Sequence, residues 1–88
     1  MQKKMKNKVL IKVYVLCLAE EYELYIPTNE SIKGIINLIV KSVFELCDGR
    51  LDMNNNYCLL EGETNSLYPY NLIVRDTNIK NGKSLILI

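Results

Sequence analysis

The sequence predicts an α+β roll: an antiparallel hairpin, one long helix laid across the sheet, and short strands that return to it. Three observations carry this. Residues 9–18 and 21–27 alternate with the two-residue period of strands, residues 32–46 repeat their apolar side chains at helical spacing, and "SLILI" at the end is a strand-forming apolar run.

The first run carries a single charge, Lys12, on a face shared with Leu10, Tyr14 and Leu16, while Val9, Ile11, Val13, Val15 and Cys17 make a wholly apolar face. Such a strand belongs at the centre of a sheet covered on one side. After a turn at Ala19 and Glu20, Tyr22, Leu24 and Ile26 alternate with Glu21, Glu23 and Tyr25, and the two runs pair as a hairpin that Pro27 ends. Thr28, Asn29 or Ser31 can supply the oxygen that caps a helix, and Glu30 favours the positive end of its dipole. Ile32, Ile35, Ile36, Ile39, Val43 and Leu46 then line one face of a helix of about 16 residues. Lys33, Asn37, Lys41 and Glu45 form its solvent face, and Leu38, Val40 and Phe44 widen the apolar stripe toward sheet edges or the next loop. Gly49 is the expected terminator and asparagines 54–56 tolerate left-handed turns. "YCLLE" reads as a short strand, "GETN" as a turn, and "SLYPY" as an extended piece confined to an edge by Pro69. "LIVRDTNI" is either a helical turn or a loop, and "NGK" turns into the final strand.

With 88 residues, 49% hydrophobic and 24% charged, the chain has the composition of one small folded domain. Its net charge of +1 hides an asymmetry. Lys3, Lys4, Lys6, Lys8 and Lys12 put five positive charges in the first twelve residues, whereas the other 76 carry six bases against ten acids, a net −4. A nucleic-acid module spreads its bases over the folded face, and here that part is acidic. The leader, residues 1–7, is expected to be a solvated, disordered terminus. It also offers an alternative function, binding nucleic acid or an anionic surface through its lysines. Lys12 interrupts the apolar run of residues 9–18, no small-x-small site precedes Glu20, and Leu16 is too large for a lipoprotein site before Cys17, so the start does not read as a signal peptide. The run is also short of the about 20 residues a bilayer span needs. A soluble cytoplasmic protein is expected.

Cys17, Cys47 and Cys58 are odd in number, with no C-x-x-C pair, and the chain has no histidine. A zinc site or a Cys-His nucleophile therefore lacks its usual ligands, and iron–sulfur spacing is absent. Each cysteine is expected to be a small apolar filler in a reducing compartment. Only four glycines are present, at positions 34, 49, 62 and 82, and none belongs to a phosphate loop. No catalytic site, metal, cofactor or small-molecule substrate is expected.

In this order of elements the chain resembles ubiquitin over nearly its whole length after the leader. The matching stretches are Ser31-Ile32 opening the helix, "YCLLEGE" as third strand and turn, and "DTNIKNGKSLILI", where Asp76, Asn78 and Ile79 stand as in ubiquitin's Asp-x-Asn-Ile turn. Within that superfamily it is most similar to the YukD or EsaB-like proteins of Gram-positive type VII secretion systems, whose ending also runs through an Ile-x-Asn-Gly turn into an apolar strand. The resemblance implies a β-grasp roll over residues 8–88, with a mixed four- to five-stranded sheet and the helix across one face. Conjugating relatives need a flexible Gly-Gly carboxyl end, and Ile88 falls inside the strand pattern, so no adenylate or thiocarboxylate chemistry is expected. The resemblance implies an accessory or regulatory part in secretion.

Alternation and the resemblance both turn Leu59, Leu85 and Leu87 toward the helix, leaving Cys58, Leu60, Ile86 and Ile88 on the other side with Lys12, Tyr14 and Leu16. In ubiquitin this helix-free face is the main partner-binding patch. Lys12, Tyr14, Leu60, Ile86 and Ile88 are accordingly the expected contacts for a protein partner, or for a second copy of the chain. The competing readings are incidental exposure, or cover by the 49–56 loop or the leader. Tyr14 and Tyr25 have outward parity, and Tyr22 and Tyr57 belong to core or rim.

Overall fold

A computed structural model describes residues 7–88. Strands β1 (Lys8–Val15) and β2 (Glu20–Pro27) form the hairpin; α1 (Ile32–Leu46) follows, then β3 (Leu59–Glu61), a 3₁₀ turn (Val74–Asp76) and β4 (Lys83–Leu87). The sheet order is β2-β1-β4-β3, with β1 and β4 parallel and the other pairs antiparallel. The parallel pair is possible because the intervening chain, including α1, is long enough to cross over. The expected mixed sheet with one helix packed across it is thus present, with four strands. The fifth piece, in "SLYPY", is reduced to a single bridge between Leu60 and Leu67. The leader's Lys3, Lys4 and Lys6 lie outside the described residues; the Asn7 carbonyl already accepts the Thr28 amide at 2.7 Å.

Period-two alternation puts Ile11, Val13 and Val15 of β1, Leu59 of β3 and Leu85 and Leu87 of β4 under the helix, all buried. From α1 come Ile32, Ile35, Ile36, Ile39, Val40 and Val43. Of the three candidate caps, Ser31 holds the position: its backbone is extended and its Oγ accepts the Gly34 amide at 3.0 Å. The helix ends in a Schellman closure, the Gly49 amide donating to the Phe44 carbonyl at 2.8 Å and Asp48 to Glu45 at 3.4 Å. Asp48 takes the first left-handed position (φ 55°), one residue before the expected Gly49 (φ 78°).

Four assignments need correction. Leu46 is 61% exposed, because the row Ile35, Ile39, Val43 continues at spacing four to Cys47, which fills the core below the helix end. Cys17 is exposed rather than part of the apolar face of β1. The chain leaves the strand after Val15: Leu18 donates back to the Val15 carbonyl and Ala19 to Leu16, both at 3.1 Å, and Ala19 turns left-handed. Leu18 then takes the place against the core. The turn therefore covers residues 16–19, and Glu20 already belongs to β2. Of the three cysteines only Cys47 is a buried filler; Cys58 is half-buried.

Glu61 is the one charged side chain buried among the described residues. Its carboxylate pairs with Lys83 Nζ and accepts the amides of Glu63 and Thr64 and the Thr64 hydroxyl, at 3.0, 2.7 and 2.8 Å. Lys83 first, then Thr64, hold its pKa down to about 2 from 4.5. The folded state therefore binds fewer protons than the unfolded one in that window. This contribution is fully present above pH 4.5 and is lost as pH falls toward 2. Glu61→Gln is expected to lower the melting temperature by several degrees at pH 7 and to flatten its decline between pH 4.5 and 2. Thermal melts across that range check it.

Candidate functional site

Strand pairing builds the helix-free face row by row. Tyr14 of β1 lies opposite Glu21 of β2 and Ile86 of β4, and Ile86 lies opposite Leu60 of β3, which is bridged to Leu67. Paired residues share a face, so Tyr14, Ile86, Leu60 and Leu67 form one apolar row across the sheet, at about 5 Å per step. On one side of this row Cys58 and Ile88 exchange two backbone hydrogen bonds, at 2.8 and 3.0 Å, and the Leu16 amide donates to the Leu87 carbonyl at 3.0 Å. On the other side the row is polar: Glu23, Lys12 and Ser84.

All five expected contact residues lie on this face. Tyr14 is 38% and Ile88 43% exposed, Lys12 is exposed, and Leu60 and Ile86 are half-buried because each is flanked within its row. Leu16 joins them, exposed. Two residues were missed. Leu67 is 58% exposed beside Leu60, while its neighbour Tyr68 is buried and donates to Asn78 Oδ1 at 2.6 Å. That one-step alternation in "SLYPY" was the available signal. Tyr70 stands at the margin, its hydroxyl donating to the Tyr57 carbonyl at 2.8 Å and 3.5 Å from Cys58 Sγ, a contact that pushes the tyrosine's pKa up. The 49–56 loop does not cover the face: residues 53–56 lie beside α1, and Arg50 ties the helix end to Glu20 of β2 at 3.0 Å.

The result is an apolar centre with charge toward β2, where Glu21 and Glu23 stand on the edge strand and Lys12 beside them on β1. That arrangement suits contact with another macromolecule: a dry centre excludes water and a polar rim sets orientation. Among the described residues no three Cys, Asp or Glu side chains gather where they could hold a metal ion, and no helix is long and apolar enough to cross a membrane.

No protein-family model matches the chain, and no curated protein does. Solved structures match it closely in shape. The ubiquitin-like domain of EccD5 from Mycobacterium xenopi superposes with a TM-score of 0.73 at 13% identity, over 92% of each chain. The chain has the ubiquitin-like fold. The ubiquitin-like domain of the Mycobacterium tuberculosis type VII secretion protein EccD1 gives 0.69 at 13% identity, over 92% of this chain and 97% of that one. A chain of a toluene 4-monooxygenase complex gives 0.69 at 8% identity, over 91% and 95%. The same ubiquitin-like scaffold thus occurs in secretion proteins and in an oxygenase complex, so function has to be argued from the surface the scaffold displays.

Proposed function

We propose that this ubiquitin-like chain is a non-catalytic protein–protein interaction module that works through the helix-free face of its sheet. The observation that carries the reading is the uninterrupted row of Tyr14, Ile86, Leu60 and Leu67, with Ile88 and Leu16 beside it. Lys12, Tyr14, Leu60, Ile86 and Ile88 are the contacts. The proposed setting is the cytoplasm of a Gram-positive bacterium, as an accessory or regulatory component of a type VII secretion system like the YukD or EsaB-like proteins. Support for that setting comes from the resemblance of "DTNIKNGKSLILI" and from the two EccD domains that share the fold. Partners are secretion components, a second copy of the chain, or both.

Affinity capture from such a cell, run beside sedimentation of the purified protein, tests this. A partner or self-association lost in Ile86→Asp and kept after deletion of residues 1–6 is the expected result. Capture that survives Ile86→Asp, but disappears with the deletion and with added salt, would instead assign function to the lysine leader.

A further inference from the structure

A second surface lies on the helix side of the molecule and meets the margin of the sheet face only at Tyr70. Along α1, Lys33, Asn37 and Lys41 follow one another at spacing four and form one wall of a groove of about 580 Å³; Met53, Asn55 and Asn56 form the other. Ile36 and Val40, both nearly fully buried, make the floor. Tyr70 closes one end, with Lys33 Nζ 5.3 Å from its ring centroid, which holds that ammonium at the mouth. The loop wall is braced. Asp52 Oδ1 accepts the Asn54 amide at 2.9 Å, and the Tyr57 hydroxyl donates to the Asp52 carbonyl.

The charge of this groove is opposite in sign to the net charge of the described residues. Residues 7–88 carry eight bases and ten acids, a net −2, yet two lysines and no acid line the groove. Among the described residues neither lysine is in an ion pair. Three side-chain amides, of Asn37, Asn55 and Asn56, also line it, groups that both donate to and accept from a peptide backbone. At a rise of 1.5 Å per residue, eight positions separate the two lysine anchor points by about 12 Å, which an extended chain crosses in about four residues. A single small anion would leave the apolar floor of Ile36 and Val40 unused.

We propose that this groove binds an extended acidic peptide segment of a partner, with two carboxylate side chains about four residues apart on Lys33 and Lys41 and an apolar side chain between them on Ile36 and Val40. The inference stands independently of the sheet face.

The test uses a fluorescein-labelled peptide, Gly-Ser-Glu-Leu-Ile-Ala-Glu-Ser-Gly, and its counterpart with both Glu replaced by Gln. Each is titrated against the full chain, the double variant Lys33→Glu with Lys41→Glu, and Ile86→Asp. The acidic peptide is expected to bind the wild type and Ile86→Asp equally. It should lose roughly tenfold or more in affinity with the double charge reversal or the Gln peptide, and weaken severalfold between 50 and 200 mM salt. Both lysines project from an exposed helix face, so the double variant should keep its melting temperature within a few degrees; a folded double variant that binds as the wild type does would overturn the proposal. Failure of the acidic peptide to bind the wild type, equal binding of both peptides, or displacement by an equal concentration of inorganic phosphate would overturn it as well.

Discussion

Ile86→Asp is expected to reduce partner or self-association at least about 30-fold, the loss of one central contact worth about 2 kcal/mol or more, while the protein remains folded. Ile86 sits mid-row with Tyr14 on one side and Leu60 on the other, so a carboxylate there places an unpaired charge in the dry centre of the contact. Its half-buried position on β4 limits the cost to the fold to about 1 kcal/mol of strand preference, or a melting shift of about 4–8 °C. Leu60→Asp, one strand over, should repeat the result. Binding titrations run beside thermal melts separate the two effects. Unchanged association in folded Ile86→Asp and Leu60→Asp proteins would exclude the face as the interface.

The residue next to it should behave in the opposite way. Leu85 is 1% exposed and packs with the helix-side core, so Leu85→Ala should cost about 2–5 kcal/mol through lost burial and the cavity left behind. In a domain whose total stability is of order 5–15 kcal/mol this is a large fraction, and the melting temperature should fall by at least about 10 °C. Urea titration measures it. The binding affinity of the fraction still folded should match the wild type, because the outer row is untouched.

This contrast between neighbours was legible in the sequence because a strand sorts its side chains by parity alone. Ile11, Val13, Val15, Leu59, Leu85 and Leu87 fell on the inner face, and Tyr14, Leu60, Ile86 and Ile88 on the outer, as local alternation required. Ser31 was likewise among the readable caps. What failed was non-local or terminal. Cys17 follows the parity of β1, but its turn had already begun at residue 16. Leu46 fits the helical stripe, yet Cys47, one position beyond the helix, fills that space. Leu67 joins the outer row only through its bridge to Leu60. The lysine groove was invisible for the same reason: periodicity assigns Lys33, Asn37 and Lys41 to a solvent face, and cannot report that residues 53–56 fold back beside them.

The most direct measurement is site-specific photo-crosslinking in the native cell, with benzoylphenylalanine placed in turn at positions 14, 60 and 86 of the sheet face and at exposed positions 71 and 76 as controls. Adducts of defined mass from 14, 60 and 86, and none from the controls, are the expected result. No adduct from any of the three sheet positions, or equal adducts from all five, would contradict an interface on that face.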